Sequence, residues 1–463
     1  MSLKTAFQSV TAAAGYATDF SALSVVNGPS AVAEVLPISD VAAGAYGALA
    51  VAAADLHALR GNGTMSPQVN RRLAGLAMAG NEYLRIGAET PASWDPITGY
   101  YLCGDGGYVY LHANFPHHRD GLFRVFNAHD RSAMEATLLR WNAPEAEETA
   151  QQAGLCCIML RDRQSWEAHP QRAALAQMAV IEMATLGNGT DINTKPQGGA
   201  LPLSGIRVLD LSRVIAGPMA GRALAELGAD VLRVAAPDLP HIPPLIVDTG
   251  FNKRSTFADL TTPEGRQTLT ALIAEADVVI DGFRPDALAL KGFGARDIAT
   301  INPNISIITL SAFANVGPWA GRRGYDSYVQ GAVGLTAPKV AGQPPVRLAC
   351  QPLDYLTGCL SAFAGVVMLI ERAKADGGAR LAELSLARTA MWLWEMADQI
   401  GPEAAPPARN PTWEEAEAEG FIRHLSTSSF GEVASLAPPY GFAENNLPWR
   451  APEPLGASDP SWL

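Results

Sequence analysis

Residues 206–236 constrain the fold more than any other stretch. Ile206-Arg207-Val208-Leu209-Asp210-Leu211-Ser212 is an apolar run of strand length, and Ala229-Asp230-Val231-Leu232-Arg233-Val234 is a second. Between them, 219–228 carries helix-forming Ala, Leu, Arg and Glu and ends on glycine, which stops helices because it takes a left-handed backbone without strain. Strand, Ala216-Gly217-Pro218 turn, helix and strand make a βαβ unit, and strands joined by a crossover helix lie parallel. The lip beyond the first strand holds ligands in such folds because unpaired helix N–H groups point into it. No G-x-G-x-x-G follows the first strand, so the unit alone specifies a doubly wound domain and no ligand.

Other elements follow in order. Residues 40–60 read as a long small-residue helix with Asp40 near its start, and 69–78 as a helix or a strand. Tyr100-Tyr101-Leu102-Cys103, Gly104-Asp105-Gly106-Gly107 and Tyr108-Val109-Tyr110-Leu111 form a hairpin pattern. Helical spacing over 119–184 then suggests a separate small α+β domain at about 90–185. A Gly-, Asn-, Thr- and Pro-rich linker spans 187–203. Beyond the βαβ unit, strands are expected at 255–260, 277–281 and 305–311. Pro263 opens a helix at a first-turn site, where its missing N–H is tolerated. Residues 352–372 form a second long helix with Asp354 near its start. The Pro- and Trp-rich tail from 399 is expected to wrap the surface.

The two Asp-headed helices echo each other. Pro37-Ile38-Ser39-Asp40-Val41-Ala42-Ala43-Gly44 and Pro352-Leu353-Asp354-Tyr355-Leu356-Thr357-Gly358 share D-x-x-x-G. Each continues as a long helix ending in Arg (Arg60, Arg372), a Gly break and a segment ending in Ala-Met. An ordered match of this kind marks an internal duplication.

A formal charge of −12 argues against nucleic-acid binding and against docking on anionic lipid. The five cysteines are odd in number and lack C-x-x-C spacing, which suits structural thiols in a reducing, cytoplasmic setting. Residues 1–16 lack the apolar core of a secretory signal. No segment is expected to span a bilayer, and 41–56 reads as a buried helix. His112, His117 and His118 belong to no recognisable ligand pattern, so no metal is expected.

The chain resembles the family III CoA-transferases, the group that includes carnitine CoA-transferases, formyl-CoA transferases and α-methylacyl-CoA racemases. The resemblance rests on Leu203-Ser204-Gly205-Ile206-Arg207-Val208-Leu209-Asp210-Leu211, Ala216-Gly217-Pro218, Glu226-Leu227-Gly228-Ala229-Asp230-Val231, Asn252-Lys253-Arg254-Ser255, Thr262-Pro263-Glu264-Gly265-Arg266, Phe283-Arg284-Pro285, Ile301-Asn302-Pro303 and Arg323-Gly324-Tyr325-Asp326. It implies an α/β fold: a parallel-sheet, nucleotide-binding-like large domain plus a small α+β domain, in a homodimer of interlocked subunits. The expected layout is a partial large-domain copy with the Asp40 helix (1–89), the small domain (90–185), a linker (186–202), the large CoA-binding domain with the Asp354 helix (203–398) and the tail (399–463).

By the same resemblance Asp354 is the nucleophile of a CoA-transferase that takes CoA from an acyl-CoA to a carboxylic acid through a mixed anhydride, with no metal. A carboxylate at a helix N-terminus is expected to stay ionised. Asp40, its counterpart, is expected to be a structural cap. Lys253, Arg254, Phe283, Arg284, Arg323 and Tyr325 are the expected coenzyme A contacts. Racemases of the group carry Gly-His-Asp where this chain has Gly324-Tyr325-Asp326, and a phenol of pKa about 10 is a poor base near neutral pH. The chain departs from the group at Ala235-Ala236, at Gly282 and at Ile215. A non-catalytic acyl-CoA-binding or scaffolding relative and a racemase-like enzyme remain the alternatives at this stage.

Overall fold

The computed structural model describes residues 2–92, 94–189, 199–336, 343–374 and 377–463. Its centre is a seven-stranded sheet built from β1 (Glu182–Thr185), β2 (Arg207–Asp210), β3 (Asp230–Ala235), β4 (Arg254–Phe257), β5 (Val278–Asp281), β6 (Ser306–Ser311) and β7 (Arg380–Ser385), in the order β4-β3-β2-β5-β6-β7-β1. All neighbours are parallel except β7 and β1. The apolar runs in β2, β3 and β5 arise because both sheet faces are covered, so their side chains are buried on either side. The long helices are α1 (Ile38–Leu59), α2 (Ala216–Glu226) and α4 (Pro352–Lys374), with the short α3 (Asp326–Ala332) before α4 and α5 (Leu386–Ile400) after β7.

The internal echo is structural. Strand β6, helix α4, parallel strand β7 and helix α5 correspond to Ser24–Val26, α1, the parallel strand Pro67–Asn70 and the helix Arg71–Ala77. In both units the last strand residue caps the next helix: Asn70 Oδ1 accepts from the Leu73 amide and Ser385 Oγ from the Arg388 amide. The shared glycine has one job in both. A Cβ at Gly358 would lie 2.6 Å from the Ala216 carbonyl oxygen of α2, and one at Gly44 would lie 2.6 Å from Ala6 Cβ of the helix Ser2–Ala13. Helices α1 and α4 pack on each other in the shared core.

Several expectations change. Residues 69–78 are both a strand end and a helix. β1 and β7 fall where no strand was expected. Both α1 and α4 are long and apolar enough to cross a membrane, contrary to expectation, but 89% and 100% of their most apolar windows lie buried inside the protein. The tail does more than wrap: Val433–Leu436 is a buried strand paired with Arg85–Ile86, and Tyr440–Phe442 pairs with Pro67–Asn70. Most of the linker, 190–198, lies outside the described residues.

The small domain is a three-stranded antiparallel sheet (Gly99–Leu102, Tyr108–Leu111, Cys157–Met159) with helices Pro116–Phe126, Arg131–Leu138 and Ala143–Gln152. Its own core runs from Ile97 to Cys157, and by 182 the chain has already joined the large sheet. It docks on the large domain of the same chain. Buried Gln171, in the segment between them, donates to the Phe313 and Val316 carbonyls and accepts from the Trp319 amide. Glu147 forms ion pairs with Arg161 and Arg322.

Candidate active site

The order β4-β3-β2-β5-β6-β7 reverses direction between β2 and β5, and ligands of open parallel sheets bind beyond the carboxyl ends of the strands at that point. Beyond β2 the chain turns through Ser212, Arg213 and Val214 into α2. Ser212 Oγ donates to Asp210, and two glycines let the backbone close around it. A Cβ at Gly217 would lie 2.3 Å from Ser212 Cβ, and one at Gly282 would lie 2.6 Å away. Packing on Ser212 therefore leaves no room for a side chain at Gly282. Val214 has φ +71°, a left-handed backbone that a β-branched residue adopts at a cost, and it faces the crevice.

That crevice is a cleft of about 460 Å³, a size suited to a small-molecule ligand. Asp354 comes to its wall from the first turn of α4, and Phe283 and Arg284 from the end of β5. Arg323 and Tyr325 come from the loop before α3, and Phe115 and His117 from the small domain. Five sequence-derived residues (Asp354, Phe283, Arg284, Arg323 and Tyr325) thus share one cavity. Among the described residues neither Arg284 nor Arg323 is paired with a carboxylate. Each guanidinium faces other cations: Arg323 helps to lower the Arg284 pKa, after burial.

Lys253 and Arg254 do not join them. Lys253 is buried beneath the cleft, its Nζ 2.7 Å from Asp210 Oδ2 and 2.8 Å from the Pro218 carbonyl oxygen. Arg254 opens β4, at the opposite edge of the sheet, where it pairs with Asp230 at 3.0 Å and donates to the Ser461 carbonyl. These are core and edge contacts, and neither residue lines the cleft. Asp40 is not a cap either: its two carboxylate oxygens accept from Arg71 at 2.9 and 2.7 Å, and Arg71 also holds Glu403 at 2.8 Å.

The surroundings of Asp354 work against the ionised form expected from the helix end. Burial raises its pKa well above the usual carboxylate range, and the neighbouring Asp326 raises it further. Asp326 Oδ2 accepts the Asp354 amide at 2.8 Å, and burial pushes Asp326 up to about 7. Desolvation and a like charge outweigh the helix end here.

Arg213 and Phe115 were not singled out in the sequence, and His117 was considered there only as a metal ligand; all three line the cleft. The Arg213 guanidinium lies 5.2 Å from the centre of the Phe115 ring and donates to the Pro240 carbonyl. Its place directly after the first strand of the βαβ unit was the available signal. His117 is held below its ordinary pKa by burial, Arg323 and Arg213. Behind it, His112 stacks on Tyr325 with ring centres 3.9 Å apart, and His118 Nε2 lies 3.5 Å from Tyr325 Oη. Burial drives both imidazoles down to about 3, so they are neutral packing for the Tyr325 ring.

Residues 203–418 match the family model described as CoA-transferase family III. Succinate--glutarate CoA-transferase of Agrobacterium fabrum is 36% identical over 207 residues, 40% of this chain and 50% of that protein. Probable fatty acyl-CoA transferase Rv3272 of Mycobacterium tuberculosis is 33% identical over 235 residues, 45% of this chain and 59% of that protein. A crystal structure of Rv3272 aligns with a TM-score of 0.40 at 31% identity, covering 43% of this chain and 57% of that one. The chain spans about half the length of these curated relatives. The residues that match CoA-transferase family III, 203–418, are those that supply the parallel strands and the Asp354 helix.

Proposed function

We propose that this chain transfers CoA from an acyl-CoA to a carboxylic acid, with Asp354 as the nucleophile. The observation that carries the proposal is the position of Asp354: a carboxyl group on the wall of an open cleft, at the point where the parallel sheet changes direction, beside Arg284 and Arg323, which have no carboxylate partner among the described residues. A carboxylate oxygen of Asp354 attacks the thioester carbonyl, the C–S bond breaks and CoA leaves as a thiolate, giving a mixed acyl-aspartyl anhydride. The thiolate attacks the aspartyl carbon and releases the first acid as its carboxylate, leaving an aspartyl-CoA thioester. The acceptor carboxylate repeats the exchange in reverse, ends as the new acyl-CoA and restores Asp354. Each step conserves an activated acyl group, so neither metal nor nucleotide is required.

Arg284 and Arg323 suit anions, either the phosphates of coenzyme A or the carboxylate of the acid. Phe283 offers a ring beside them. Two relatives named as succinate--glutarate and succinyl-CoA:glutarate CoA-transferases support a dicarboxylic acid as the acceptor. The five free, buried thiols suit a cytoplasmic setting.

The test is Asp354→Asn. Transfer of CoA from succinyl-CoA to glutarate should disappear in a variant that melts like the parent; undiminished transfer would reject the assignment. His117 on the same cleft favours a second reading, proton exchange at the α-carbon of an acyl-CoA. Deuterium uptake from D2O into a 2-methylacyl-CoA, lost in His117→Ala, would support that reading over transfer.

A further inference from the structure

Behind the cleft lining, bonded to the Asp354 backbone, lies a buried carboxyl group that the mechanism above does not use. Asp326 is 1% exposed, yet it lies next to the proposed nucleophile, and its contacts are all directed. One oxygen, Oδ2, accepts the Asp354 amide at 2.8 Å. The other, Oδ1, accepts from Gln330 Nε2, one turn further along α3, at 2.5 Å. Gln330 in turn donates to the Cys350 carbonyl at 3.2 Å and accepts from the Leu348 amide at 3.0 Å. The side chains of Asp326 and Gln330 therefore tie α3 to the segment that leads into α4. A neutral residue could make the same backbone contact; an asparagine oxygen accepts an amide proton as well. A buried carboxylate is the costly choice for a cap, because desolvation opposes its charge. Placed against a second carboxyl group, it makes the two ionisations interdependent.

We propose that Asp326 is a positioning residue for Asp354: by accepting the Asp354 amide it seats the first turn of α4 beside a second carboxylate, and that neighbour sets the pH at which Asp354 reacts. The inference rests on Asp354 being the nucleophile. The charged and titratable groups that face Asp354 across the cleft are Arg213, Arg284, Arg323, His117 and Tyr325. Those acting on Asp326 are Arg347, Cys350, Tyr100 and Tyr110. Asp326 is the one carboxylate among these groups, and after burial it is what raises the Asp354 pKa. The sign follows. A second negative charge keeps a proton on the pair to higher pH, so the acid limb of the rate profile lies higher than Asp354 alone would give.

The experiment compares kcat/KM against pH for the full chain and for Asp326→Asn, with succinyl-CoA and glutarate. Asparagine keeps the acceptor for the Asp354 amide and removes the charge, so the acid limb should move down by about one pH unit or more. Asp326→Ala, which also removes the acceptor, should lose activity that Asp326→Asn retains. An active Asp326→Asn whose limb coincides with that of the parent overturns the proposal and leaves Asp326 a plain cap. If Asp326→Asn turns over too slowly to profile, the protonated-carboxyl infrared band that is absent from Asp354→Asn is titrated instead. A midpoint that does not fall in Asp326→Asn overturns the proposal in the same way. Failure of the parent reading looks different: Asp354→Asn would then still transfer CoA.

Discussion

Lys253→Met separates a coenzyme contact from a core contact. In sequence Lys253 looks like a phosphate ligand; in the structure its ammonium is 2% exposed and bonds to Asp210, itself fully buried. Removing the ammonium leaves the Asp210 carboxylate with the Ser212 amide at 3.0 Å, the Ser212 hydroxyl, and Arg233 Nε at 3.8 Å. Stripping one partner from a buried ion pair costs roughly 3–5 kcal/mol, because the remaining charge is left uncompensated. Arg233 supplies part of the missing charge, so the lower end of that range, about 3 kcal/mol, is the expected loss. Guanidinium unfolding followed by far-UV circular dichroism reads the stability, and isothermal titration reads CoA affinity on the folded variant. The expected result is an earlier unfolding midpoint with CoA affinity within about twofold of the parent, a difference of roughly 0.4 kcal/mol. Lys253→Met with Asp210→Asn should recover part of the loss, since the unpaired charge is then gone. A variant as stable as the parent that binds CoA tenfold more weakly would refute the reasoning and restore Lys253 to the binding site.

Other consequences can be checked in the same way. Gly282→Ala would push a methyl group to 2.6 Å from Ser212 Cβ, an overpacking cost of about 1–3 kcal/mol; Ser212→Gly in the same chain should relieve it, read by thermal melting. Asp40→Asn should lower stability by loosening Arg71 and leave the rate of CoA transfer unchanged; a matching loss of transfer would mean the first unit takes part in the reaction. Arg323→Ala removes a cleft cation with no carboxylate partner among the described residues, and should raise KM for the acyl-CoA about tenfold, or roughly 1.4 kcal/mol, with little change in melting temperature.

How much of this could be read from the residues depends on how local the cause is. The βαβ unit at 206–236 was legible because β2 and β3 are covered on both faces, which leaves unbroken apolar runs. The hairpin at 99–111 was legible because its turn residues are adjacent in sequence. The strand Arg380-Leu381-Ala382-Glu383-Leu384-Ser385 was not: it is partly exposed and carries two charges, so nothing in it alternates cleanly. The tail strands escaped because their partners, residues 67–70 and 85–86, lie more than three hundred positions away. The duplication was visible in D-x-x-x-G, but its cause, a close helix contact at Gly44 and Gly358, appears only in three dimensions.

The site divides in the same way. Asp354, Phe283, Arg284, Arg323 and Tyr325 line one cleft beyond the carboxyl ends of the strands, and their motifs mark it. Lys253 and Arg254 carry the same charge in sequence, and only burial and ion pairing show where that charge is used. His117 and Phe115 reach the cleft because the small domain docks there, an event with no local signature. The helix end beside Asp354 was visible in sequence; its burial and the neighbouring Asp326 carboxylate, which raise its pKa, were not.

The claim at the centre is that the Asp354 carboxyl becomes covalently activated. Incubating the protein with succinyl-CoA and hydroxylamine, followed by peptide mass spectrometry, tests it directly. A hydroxamate at Asp354 that forms only when the acyl-CoA is present, and at no other carboxyl, is the expected result. Sustained CoA transfer with Asp354 left unmodified would contradict it.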